Sequence, residues 1–180
     1  MILIEPDAAT ASNRSALKLR ELRGFLSQAK SGVGLHGEVS IFLATDATIR
    51  KLNREFRKKD KATDVLSFPV EEEHVREAPK QAGDLAISLD TARKQAEEHG
   101  HTLQVEVKIL LLHGLLHLAG YDHETDKGQM ARKESALRKK LDLPGGLIQR
   151  SGEAKKAARP AAKKDAGMKT TGLKGKGHAR

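Results

Sequence analysis

Apolar and polar residues alternate in some stretches of this chain and recur every three or four residues in others. Residues 37–45 alternate strictly, with Val39, Ile41 and Leu43 on one side, the period of a half-buried strand. Residues 2–4, 64–70 and 83–89 are further short apolar runs with strand character. Between them the spacing changes to that of helices. Leu19, Leu22 and Leu26 form a stripe that predicts a helix from a Ser15 cap to about residue 30. Ile49, Leu52 and Phe56 predict an inward face for a second helix that starts at an Asp46 cap. Asp90 is positioned to cap a third helix that Gly100 ends, and Thr102 a fourth that runs to about residue 119. A last helix over 125–141 presents Met130, Leu137 and Leu141. The segment 71–81 is rich in Glu, contains Pro79 and is too polar for a core. Four strands and about five helices in this order give an α/β fold with a mixed four-stranded sheet. The loop between the last two strands suits an antiparallel pair.

The fourth helix carries the chemistry. Its end reads His113-Gly-Leu-Leu-His117-Leu-Ala-Gly-Tyr-Asp-His123. Positions i and i+4 lie one turn apart on one helix face, so His113 and His117 aim at a common point. Gly120 can take the left-handed conformation that ends the helix and returns His123 over that point. Burying two unpartnered imidazoles among Leu111, Leu112, Leu115, Leu116 and Leu118 would be costly. Three neutral nitrogen donors with a fourth position free make a catalytic rather than a structural metal site. One Zn2+ per chain is the expected occupant, and nickel or copper would also suit the donors.

Composition adds two constraints. There is no cysteine, so neither disulfides nor thiolate ligands are available, which fits a reducing, cytoplasmic location. The N-terminus has no basic, apolar signal pattern, and residues 105–119 are too short and polar to span a bilayer, so no membrane is expected. The net charge of +9 is unevenly placed. Residues 151–180 hold nine Lys or Arg against Glu153 and Asp165, leaving the first 150 residues nearly neutral. The chain therefore divides into a folded domain over 1–150 and a basic, disordered tail over 151–180, either a solvated appendage or a non-specific phosphate-binding arm.

His-x3-His-x5-His also occurs in metzincin proteases, which carry a glutamate base after the first histidine where this chain has Gly114. With Gly-Tyr-Asp-His at 120–123, the run instead resembles the YbeY-type rRNA maturation factors of bacteria. A second block, Leu-Asn-Arg-Glu-Phe-Arg-Lys-Lys-Asp-Lys-Ala-Thr-Asp-Val-Leu-Ser-Phe-Pro over 52–69, is similar to that family's other signature, and Gly-Asp-Leu-Ala-Ile-Ser over 83–88 is a third match. The resemblance covers about residues 1–148. It implies a zinc-dependent endoribonuclease specific for single-stranded RNA, acting in maturation of the 16S rRNA 3′ end and in ribosome quality control. The implied partners are single-stranded RNA, rRNA and ribosomal particles. The alternatives are a metal-dependent protease or amidohydrolase, and a non-catalytic assembly factor whose metal only holds the fold.

Two readings of Arg57 stand side by side on the residues alone: a cation at a helix C-terminus, or a clamp on phosphate oxygens. The resemblance favours the clamp and a catalytic role. Lys58, Lys59 and Lys61 are candidates to guide an RNA backbone, with a plain solvated loop as the alternative. Tyr121 either reaches the site as a substrate contact or packs in the core. Asp122 and Asp126 are candidates to orient a ligand imidazole, or else a turn residue and a helix-start charge. Four Phe, one Tyr and no Trp leave little for base stacking, so backbone and shape recognition is expected.

Overall fold

The computed structural model describes residues 1–70, 81–123 and 125–144. The predicted tail, and the Glu-rich segment apart from Gln81, lie outside them. The alternating run becomes β2 (Glu38–Ala44), whose Val39, Ile41 and Leu43 are buried. It takes β1 (Ile2–Ile4) on one side and β4 (Gln81–Ser88) on the other, both parallel, with Ile41 opposite Ile2 and Leu85. β3 (Val65–Pro69) pairs antiparallel with β4, Val65 facing Ile87, which gives the order β1-β2-β4-β3. The mixed four-stranded sheet and its antiparallel last pair agree with the sequence pattern. Among the described residues β3 is an edge strand.

Among the described residues there are six helices rather than five: α1 (Ala11–Ala16), α2 (Leu19–Val33), α3 (Asp46–Arg57), α4 (Leu89–Glu98), α5 (Leu103–Leu118) and α6 (Gln129–Lys140). The predicted helix from Ser15 is two. Thr10 caps a short α1, the chain extends at Leu17, and the Lys18 N–H turns to the side-chain oxygen of Gln104 at 3.0 Å. The caps also move. Thr45 rather than Asp46 caps α3 and Ser88 rather than Asp90 caps α4, each hydroxyl accepting an N–H three residues on. Asp46 instead accepts from Ser88 and Thr91, tying the two helix starts together.

α5 is buried on every side, as expected of a helix apolar around its whole circumference. It packs on β3 and β4 and is walled by α2, α4 and α6, while α3 covers the opposite sheet face through Ala44, Ile49, Leu66 and Ala86. Glu106, an acid in the apolar run, is buried against the His101 imidazole. Gly114 sets the approach of α5 to the sheet: a Cβ there would lie 2.7 Å from Leu85 Cδ2. None of the described helices is long and apolar enough to cross a membrane.

Candidate metal centre

Thr102 opens α5 by accepting from the Val105 N–H, and the helix closes at Gly120. Gly120 has φ 84°, its N–H reaches the His117 carbonyl at 3.0 Å, and the Tyr121 N–H reaches Leu116 at 3.0 Å. These are the two hydrogen bonds of a Schellman motif. The reversal brings His123 back over the face that carries His113 and His117. The three rings stand 4.8, 5.4 and 5.5 Å apart between centroids. One nitrogen from each falls within 4.8 Å of the others, and the Nε2 atoms of His113 and His117 are 3.1 Å apart. Tetrahedral ligands ~2.0–2.1 Å from a zinc ion are about 3.4 Å apart, so the trio fits one ion with small side-chain adjustments. Exposure is graded: His113 is buried, His117 half-buried and His123 exposed, so one side of the cluster faces solvent.

The donors suit a metal in protonation state as well. Burial, then the neighbouring His113 and His123, push the His117 pKa from its ordinary 6.5 down to about 4. Neutral imidazole is the ligating form. The fold therefore keeps His117 unprotonated between pH 6.5 and 4, where an unfolded chain binds a proton. The metal-free protein is expected to lose stability as pH falls through that window and to level off below it. Urea midpoints of chelator-treated protein at pH 7.5 and pH 5 check this. A His117→Gln variant should show a shallower pH dependence, and equal slopes would remove His117 as the cause.

Sequence reasoning missed the group that orients His113. Its Nδ1 lies 3.1 Å from Glu134 Oε2, both side chains being buried, and a carboxylate can only accept, so Nδ1 carries the proton. That leaves the Nε2 lone pair to face the cluster. Glu134 is in turn held by Arg138, whose Nε donates to Oε1 at 2.8 Å and whose Nη1 donates to the Pro144 carbonyl at 2.9 Å. The signal was present: Met130, Glu134, Leu137 and Arg138 are the buried residues of α6, so two charged groups sit inside its apolar stripe. Glu134→Gln keeps an acceptor but loses the charge, and should weaken metal affinity about 10–100-fold. Competition against a chromogenic chelator measures it; unchanged affinity would leave Glu134 as a packing residue.

The trio lines a cavity of about 520 Å3. Arg57, Lys59 and Lys61 line it from the end of α3, and residues 63–67 border it along β3. The basic loop is fixed rather than loose. Arg50 grips Asp60 with two 2.8 Å hydrogen bonds, and Asn53 donates to the Lys61 carbonyl at 2.7 Å. Arg57 itself donates to the edge-strand carbonyl of Ser67 at 3.3 Å. Tyr121 and Asp122 also line the cavity, Tyr121 while packing against the main core.

Two expected site residues lie elsewhere. Lys58 takes a left-handed conformation, φ 58°, and its ammonium donates to the Glu55 carbonyl at 2.9 Å, so it is not among the cavity-lining residues. Asp126 is not the acceptor for an imidazole. Its carboxylate accepts from the N–H groups of Met130, Gly128 and Gln129, which hold its pKa below the usual carboxylate range against the opposing effect of burial. Asp126 thus holds the backbone N–H groups at the start of α6, whose N-cap is Gly128, and the imidazole partner is Glu134. Asp122 accepts from the Thr125 hydroxyl at 3.0 Å, and its charge raises the His117 pKa against the effect of burial.

Comparison with known proteins places the same segments in one group. The family model described as Endoribonuclease YbeY matches residues 9–142. A protein named Endoribonuclease YbeY from Koribacter versatilis is 48% identical over 88% of this chain and 97% of its own length. Proteins of the same name from Solibacter usitatus and Nautilia profundicola are 45% and 52% identical, over 81% and 63% of this chain and 96% and 79% of theirs.

Proposed function

This chain belongs to the YbeY endoribonuclease family, and from that premise we propose that it is a zinc-dependent endoribonuclease that cuts single-stranded RNA at the His113, His117 and His123 centre. The observation that carries this reading is that the three imidazoles and the cations Arg57, Lys59 and Lys61 line one cavity. Zinc in such a site supplies Lewis acidity toward a phosphoryl oxygen and a water of lowered pKa. The protein's own groups do the rest. Lys59 and Lys61 draw the RNA backbone into the cavity. Arg57, close enough to the edge strand to be oriented by the Ser67 carbonyl, presents its guanidinium to the non-bridging phosphate oxygens as charge builds on them. Glu134 holds His113 in the tautomer that leaves Nε2 free for the metal. The cellular substrate in this proposal is ribosomal RNA on ribosomal particles, at the 3′ end of 16S rRNA, in maturation and quality control.

Gly114 disfavours a protease. Any side chain in its place, a glutamate base included, would put a Cβ 2.7 Å from Leu85 Cδ2 and force that leucine to shift, and overpacking of that kind typically costs about 1–3 kcal/mol. The decisive measurement is cleavage of matched single- and double-stranded RNA by purified protein, with and without a chelator. Single-strand cleavage that the chelator abolishes while circular dichroism stays native is the expected result. Unfolding on chelation, with no cleavage beforehand, would favour the metal as a structural element of a non-catalytic assembly factor.

A further inference from the structure

We propose that Phe56 is a stacking platform for an unpaired nucleobase of the RNA strand whose phosphate meets Arg57, an inference that rests on the RNA-cleavage reading above. Phe56 shares a stripe of α3 with Ile49 and Asn53, at spacings of four and three residues, and that pattern predicts an inward ring. Ile49 and Asn53 are indeed buried, but Phe56 overhangs and is 59% exposed, the only large exposed aromatic among the described residues. Its ring is not loose. It meets Phe68 edge-to-face, with centroids 5.2 Å apart and planes at 74°. A ring held edge-on by a neighbour with more than half of its surface facing water can act as the kind of aromatic platform on which single-strand binding proteins stack bases.

The surroundings specify the occupant. The next residue is Arg57, which lines the same cavity as Lys59, Lys61 and the three histidines, while Phe56 itself is not among the lining residues. Cavity-lining cations for phosphates, the first of them one residue along the chain from an exposed ring, suit a strand that carries both a charged backbone and free base faces. Duplex RNA keeps its base faces stacked internally and offers nothing to Phe56. The platform therefore contributes to single-strand preference, and the scarcity of aromatics in the sequence does not remove base contacts; it concentrates them at one position.

The chain contains no tryptophan, so F56W introduces a single reporter. The metal-loaded F56W protein is titrated with an eight-nucleotide single-stranded RNA and with an abasic ribose-phosphate oligomer of equal length. Indole fluorescence should be quenched by the base-bearing strand and not by the abasic one. In parallel, F56A and F56L should raise KM for the RNA by on the order of tenfold, the fold-change for losing one aromatic–base stack, with kcat changed much less. Phe56→Leu keeps an apolar cover on Phe68 and should melt as wild type does, which separates stacking from packing. Equal quenching by both oligomers, no quenching by either, or a wild-type KM in F56L would overturn the platform. Base-dependent quenching in a protein whose wild type cleaves nothing would keep the platform and defeat the cleavage reading instead.

Discussion

Alanine at His117 is expected to empty the metal centre and lower RNA cleavage by on the order of 10³-fold or more, beyond the ~10–100-fold loss of affinity expected at Glu134. His117 is the middle donor. Its Nε2 stands 3.1 Å from that of His113, and its ring is within 5.4 Å of the His123 ring. Removing it leaves the buried His113 and the exposed His123 to hold an ion by themselves, below the three protein ligands of catalytic zinc sites. The fold should survive. His117 is half-buried near the end of α5, alanine is the best helix former, and the Schellman closure at Gly120 uses the backbone of residue 117 rather than its side chain. Native mass spectrometry of wild type should show about one metal per chain, and of H117A almost none, with unchanged circular dichroism. A variant that keeps full metal content would take His117 out of the ligand set.

How much of this was legible in the sequence depended on whether neighbours in the chain or neighbours in space decide the outcome. β2 could be read because its alternation is imposed by one buried sheet face, and the convergence of the histidines because their spacing and Gly120 are local. The starts of α3 and α4 differ from the sequence expectation by one or two residues because several adjacent hydroxyls and carboxylates can each cap, and α6 starts at Gln129 rather than near 125. At Asp46 the contest was settled by Ser88 and Thr91, more than forty positions away. Glu134 was missed for the same reason: its partner His113 lies 21 residues back on another helix. α1 carries no apolar stripe and is fixed by the Thr10 cap and by the Asn13 side chain on the Ala8 carbonyl. Phe56 was placed inward because periodicity gives the face of a helix but not where the sheet beneath it ends.

Replacing Arg57 by alanine should separate metal binding from chemistry. The variant is expected to keep its metal and its melting temperature while losing roughly 10²–10³-fold in kcat, the scale for deleting one charge stabiliser of a transition state. The competing role, a cation on the α3 C-terminus, is worth ~0.3–1 kcal/mol and would appear in stability rather than turnover. That role is also shared, since Arg54 lies in the same last turn. Among the described residues Arg57 donates to the Ser67 carbonyl through Nη2, and its remaining guanidinium N–H groups are the donors proposed for a phosphate. Lysine carries the charge but cannot offer a planar fork to two oxygens, so Arg57→Lys should recover only part of the loss. Phosphorothioate substitution of a single non-bridging oxygen at the scissile phosphate sharpens the test: it should slow wild type more than R57A if the fork grips that oxygen. Wild-type turnover in R57A, or equal phosphorothioate effects in the two proteins, would return Arg57 to the helix end and leave Lys59 and Lys61 as the cations that meet the substrate.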